Sequence, residues 1–152
     1  MVTAPLDLEL TAIDGDRRSL DDWLTTFPLV LVALDPYTHE SAWLLHTAHR
    51  LLDFYGEADV RTAWVLTCDA DDARRFLGPY ATEILTFADP DRSIVTGLGL
   101  TTLPAIVFIR LDGVELARAE GWNPDEWRSV TEAVSDVAAW TRPLVPAPGD
   151  PA

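Results

Sequence analysis

Apolar residues recur along this chain in three rhythms, and each predicts a different kind of element. Leu29-Val-Leu-Val-Ala-Leu34, Thr62–Cys68 and Ala105–Ile109 are short, nearly continuous apolar runs, the pattern of strands buried on both faces. Between about Thr38 and Tyr55 the spacing changes to the helical period. Leu44, Leu45, Ala48, Leu51, Leu52 and Tyr55 form one stripe, with His46, His49, Arg50 and Asp53 on the other side and Gly56 as the stop. A second helical stripe, Trp127, Val130, Val134 and Val137, follows an Asn123 N-cap, Pro124 at the first turn, and Asp125 and Glu126 at the positive helix end. Leu8–Ile13 alternates weakly into Asp14-Gly15, which predicts a small hairpin.

Shorter elements fill the gaps. Ser19 is the N-cap of a short helix through Trp23 and Leu24. Asp69–Leu77 predicts a helix stopped by Gly78-Pro79, Ile84–Phe87 a short strand, and Asp89-Pro90 a helical turn towards Leu98. Asp112-Gly113 predicts a hairpin that lays Val114–Ala119 antiparallel to the Ala105 strand. Strand–helix–strand alternation closing in a hairpin and a helix gives a mixed central sheet covered on both faces, a three-layer α/β/α sandwich. Residues 1–142 read as one domain, and the proline-rich stretch 143–152 as a disordered tail. A chain of 152 residues is long enough to support such a core without disulfides or metal.

Charge and cysteine content narrow the chemistry. Asp and Glu number 25 against 11 basic residues, all arginine, for a formal net charge of −14. With no lysine there is no Schiff-base chemistry and no phosphate-loop lysine. The negative field disfavours nucleic acid, and it either favours basic partners or serves solubility alone. The single cysteine, Cys68, excludes an intramolecular disulfide. No apolar run reaches the roughly 18 residues of a membrane span and no secretory leader is visible, so the expectation is a cytoplasmic protein without a membrane partner.

Four features together resemble the thioredoxin-like superfamily. They are the strand–turn–helix junction at 29–55, Leu103-Pro104 at the position of that superfamily's cis-proline, Asp112-Gly113 between the last two strands, and Gly121 before the final helix. The segment 69–98, with Asp89-Pro90-Asp91, resembles the insertion of the TlpA and peroxiredoxin branches. The resemblance implies a thioredoxin-like fold over about residues 5–140.

It also exposes what is missing. Where the superfamily carries Cys-x-x-Cys, this chain has Thr38-His39-Glu40-Ser41. Relative to the Thr-x-x-Cys of peroxiredoxins, Ser41 replaces the peroxidatic cysteine. The family's buried acid and its lysine on the next strand are matched here with Val32 and Val65. A serine hydroxyl is far too weak an acid for thiolate-like attack.

Other candidates carry less. Cys68, beside Asp69, reads as a buried structural thiol, because a neighbouring carboxylate raises a thiol's pKa. His39, His46 and His49, with Asp53, lack metal-site spacing, so no metal or other cofactor is expected. His39, Ser41 and Asp35 have the residue types of a triad without its geometry or a nucleophile elbow. Trp64 and Trp127 read as core, whereas Trp43 and Trp122 are placed to edge a groove.

In thioredoxin-like proteins the groove between the motif turn and the cis-proline loop binds extended polypeptide. The expectation is therefore a redox-inactive thioredoxin-like protein that binds peptide or protein as an assembly chaperone. Its groove would comprise Tyr37, Thr38, His39, Glu40, Ser41, Leu103 and Pro104, with no catalytic residues. Leu20-Asp-Asp-Trp-Leu24, the following apolar strand and Asp35-Pro36 resemble the hydrogenase-expression chaperones, which escort the hydrogenase small subunit through its twin-arginine segment. Two rivals stand: a thiol oxidoreductase or peroxidase using Cys68, and a structural subunit tethered by its tail. Self-association as a homodimer is a further partner expectation.

Overall fold

A computed structural model describes residues 2–151, which form seven strands and six helices. In chain order they are β1 (Glu9–Ala12), β2 (Arg17–Ser19), α1 (Leu20–Trp23), β3 (Leu29–Leu34), α2 (His39–Phe54), β4 (Arg61–Leu66) and α3 (Ala70–Leu77). There follow α4 (Tyr80–Glu83), β5 (Leu85–Ala88), α5 (Ser93–Gly97), β6 (Ala105–Ile109), β7 (Glu115–Glu120) and α6 (Pro124–Ala138). The strands make one mixed sheet in the order β2-β1-β5-β4-β3-β6-β7. Strands β3, β4 and β5 are parallel; β1, β6 and β7 join antiparallel.

Alternation along the central strands divides the core into two layers. Val30, Val32, Leu34, Trp64, Leu66, Ile106 and Phe108 point to α2, α3, α4 and α6. Leu29, Leu31, Ala33, Ala63, Val65, Phe87, Ala105 and Val107 point to α1 and α5. The three-layer α/β/α sandwich and mixed sheet expected from the sequence are therefore present. Both caps expected from the sequence form, Ser19 accepting from the Asp22 N–H and Asn123 from the Glu126 N–H, and the structure adds a third, Asp69 accepting from the Asp72 N–H.

Four readings are corrected. The short helix α4 was not anticipated; it follows directly on the Gly78-Pro79 stop. Val137 lies outside the α6 stripe, 53% exposed, because Thr131 and Ser135 complete the buried face and the helix ends one residue later. Val32 and Val65 face opposite layers, with Val32 beside Trp64 and Val65 beside Ala33, so they do not stand in for one acid–lysine pair.

The fourth correction concerns the proline-rich stretch, which is packed rather than disordered. Val145 is buried in the α2–α6 layer. The Asp150 carboxylate accepts from Thr47 Oγ1 and Arg50, both at 2.9 Å. The prolines that suggested disorder donate no N–H, and the segment is held instead by side chains of the body.

Candidate functional site

Strand register builds the candidate site. Leu34 is the last residue of β3, and Ala33 pairs antiparallel with Ala105 at the start of β6. The β3–α2 turn and the Leu103-Pro104 segment therefore emerge side by side at one end of the sheet. The Leu103–Pro104 peptide is cis, and the Pro104 carbonyl accepts the Gly121 N–H at 2.7 Å. That bond ties the loop before α6 to the same edge.

The turn itself is wired by three residues. Thr38 is the N-cap of α2: its Oγ1 accepts the Ser41 N–H and donates to the Asp35 carbonyl at 3.0 Å. Ser41 Oγ accepts the Asp35 N–H at 2.9 Å, and Ser41 is fully buried. Asp35 receives the Tyr37 N–H on one oxygen and the Arg92 guanidinium on the other, at 3.0 and 2.7 Å. The positions that resemble a dithiol motif thus hold hydroxyls spent on shaping the backbone. Ser41 offers no accessible oxygen for attack, and with Asp35 facing Arg92 rather than His39 no triad is assembled.

The other groove candidates divide by exposure. Tyr37 is 71% exposed, and His39 and Glu40 are also exposed. Thr38 and Leu103 are half-buried, while Pro104, like Ser41, is buried. Trp43, 70% exposed, stacks against His39 with ring centroids 5.9 Å apart. Tyr37 leans the other way, its hydroxyl donating to Asp72 at 2.9 Å, which pushes its pKa up to about 12. Trp122 is half-buried on Trp127, and Trp64 and Trp127 are fully buried. The surface at this end is thus an aromatic ledge of Tyr37, His39 and Trp43 with acidic neighbours. Arg92 is the contact the sequence reading missed. Arg92 lies 57 residues along the chain from Asp35, at a left-handed backbone position with φ 60°, and no local pattern announces the pairing.

Cys68 is buried, and its thiol is pushed up to about 11, chiefly by burial and then by repulsion from Asp72, Asp69 and Asp35. The histidines are engaged separately. His46 Nδ1 meets the Tyr80 hydroxyl at 2.8 Å; His49 stacks on the Tyr80 ring and meets Glu83 at 2.8 Å. Among the described residues no group of three or more His, Cys, Asp or Glu is placed to hold a metal ion. No described helix is long and apolar enough to cross a membrane. Among the described residues, every arginine except Arg61 is within 4 Å of a carboxylate, so the basic residues are spent internally.

Comparison with known proteins identifies the fold. No family model and no curated protein matches the sequence. Solved structures do. DsbF of Mycobacterium tuberculosis superposes with a TM-score of 0.71 at 20% identity, covering 89% of this chain and 99% of that one. A secreted M. tuberculosis disulfide oxidoreductase homologous to E. coli DsbE gives 0.64 at 20%, covering 84% and 96%. The exposed lipoprotein thioredoxin Etrx1 of Streptococcus pneumoniae gives 0.64 at 18%, covering 84% and 98%. At such identities the likeness carries the backbone arrangement and none of the chemistry. The register, the junction and these superpositions agree on one conclusion: this chain has the thioredoxin-like fold.

Proposed function

We propose that this protein is a redox-inactive thioredoxin-like protein that binds an extended, arginine-bearing polypeptide and acts in assembly rather than catalysis. The observation that carries the reading is the Ser41 Oγ bond to the Asp35 N–H in a fully buried setting. It leaves the position of a reactive sulfur committed to holding the turn. The aromatic ledge of Tyr37, His39 and Trp43 remains available, because aromatic groups supply contact area at low entropic cost. Glu40, which is exposed and has no ion-pair partner among the described residues, and the overall charge of −14 suit guanidinium groups.

Within this reading Ser41 and Pro104 support the surface from beneath, and Tyr37, His39, Glu40, Trp43 and Leu103 make contact. The cytoplasmic setting and the absence of a catalytic cofactor belong to the same proposal. So does its narrower form, an escort for a twin-arginine-bearing hydrogenase small subunit. The Leu20–Leu24 resemblance behind that form now rests largely on core positions, since Leu20, Trp23 and Leu24 are buried and only Asp21 and Asp22 face outward.

The competing reading, a thiol enzyme using Cys68, is opposed by burial and by a thiol near 11. Disulfide-reduction and peroxide-consumption assays on wild type and Cys68→Ala separate the two. The proposal expects no turnover in either protein. Turnover in wild type that disappears in Cys68→Ala would replace it with the enzyme reading.

A further inference from the structure

The C-terminal segment lies in a cleft between α2 and α6, and the contacts resemble recognition of a ligand more than packing of a tail. Four of its residues, Pro143, Pro146, Pro148 and Pro151, lack an N–H, so its backbone offers mainly carbonyl acceptors. Two side chains of the body read those carbonyls. Arg128 donates to Val145 at 3.1 Å, and Trp122 Nε1 donates to Pro151 at 3.0 Å. Val145 is inserted into the apolar layer. The Asp150 carboxylate, 5% exposed, accepts from Thr47 Oγ1, Arg50 and its own segment's Ala147 N–H, at 2.9, 2.9 and 2.7 Å. An aromatic N–H on a carbonyl, an apolar anchor and a paired hydroxyl and guanidinium on a carboxylate make a recognition set for a proline-rich peptide that turns back between Ala147 and Asp150, where the Asp150 N–H donates to the Ala147 carbonyl at 3.1 Å.

We propose that the α2–α6 cleft is a peptide-recognition site for proline-rich segments carrying one aspartate. Residues 143–151 are its resident ligand, held in cis with Asp150 as the chief anchor. Tethering explains the occupancy: a short linker gives an effective concentration on the order of millimolar, enough to fill even a modest site. The site is distinct from the Tyr37–Trp43 ledge, so it stands or falls independently of the proposed function.

The test uses the full chain and a synthetic peptide with the sequence of residues 143–152. In wild type the Trp122 indole N–H is expected to be protected in NMR spectra, and the peptide to show no binding at submillimolar concentration. Asp150→Ala should move that indole signal to a solvent-exposed position while the Trp140 indole, which donates to the Phe54 carbonyl, stays put. Added peptide should then bind saturably and restore the signal, and a peptide with Ala in place of its Asp should bind at least tenfold more weakly. Arg50→Gln, altered on the body side, should release the segment likewise but resist rescue, and it serves if Asp150→Ala does not fold. An unchanged Trp122 signal in the variants, absence of peptide binding to Asp150→Ala, or equal binding of the two peptides would overturn the proposal.

Discussion

Ser41 Oγ accepts the backbone N–H of Asp35 across the β3–α2 turn at 2.9 Å, with no solvent access. Removing the hydroxyl leaves a buried donor without a partner, a cost of about 1–3 kcal/mol. Ser41→Ala should therefore lower the unfolding free energy by that amount in urea titrations with an unchanged m-value. If the proposed function holds, the variant should keep most of the affinity for an arginine-bearing peptide once folded, because Ser41 is buried and makes no contact at the surface.

Asp89 makes the corresponding arrangement on the opposite face. It is buried at the C-terminal end of β5, and its carboxylate accepts the Ile94 and Val95 N–H groups, both at 3.0 Å, and the Ser93 hydroxyl at 3.3 Å. These donors open α5, which carries Ile94 and Val95 into the core. Asp89→Ala should cost about 2–4 kcal/mol, as expected when a charged acceptor serving several buried donors is lost. Chemical denaturation checks the value, and amide exchange should show α5 losing protection first.

The Cys68 thiol, pushed up to about 11, makes a pH prediction with a definite sign. A thiol that stays protonated in the folded state binds more protons there than in the unfolded chain at alkaline pH. Its stabilisation is complete below the ordinary thiol range and is lost as pH rises from about 9 to about 11, by roughly 2–3 kcal/mol at most. Cys68→Ala should flatten that part of the stability–pH curve. At pH 7 only on the order of one thiol in ten thousand is ionised, so native alkylation should be slow and should accelerate on unfolding.

Trp43 separates the ledge from the fold. It is 70% exposed and touches His39 by stacking. Trp43→Ala should change the unfolding free energy by no more than about 0.5 kcal/mol, the usual range for surface positions. Trp127→Ala, at a fully buried site whose indole N–H donates to the Gly121 carbonyl, should cost about 3–5 kcal/mol. Thermal unfolding of the two variants provides the comparison.

The parts of the fold legible in the sequence are those whose determinants are local. Asn123-Pro124 announces α6, the unbroken runs at 29–34 and 105–109 announce central strands, and Asp112-Gly113 announces the hairpin between β6 and β7. What escaped depends on partners far along the chain. Ser41 looks like a surface hydroxyl until the turn folds back and presents the Asp35 N–H to it. The anchoring of Asp150 depends on Thr47 and Arg50, a hundred residues away, so composition alone pointed to disorder. The Arg92 contact to Asp35 spans 57 residues. The candidate ledge was legible in outline, because Tyr37 sits in the turn and His39 opens α2. Which of its residues face outward was not.

The central claim is that the sulfur-free junction is a contact surface for an arginine-bearing polypeptide. The most direct measurement is calorimetric titration of the full chain with an extended peptide carrying paired arginines, repeated on the Tyr37→Ala/Trp43→Ala double variant. The account predicts saturable binding that weakens with salt and falls at least tenfold in the double variant without a change in its unfolding midpoint. No heat of binding to wild type, or equal affinity in the double variant, would contradict it.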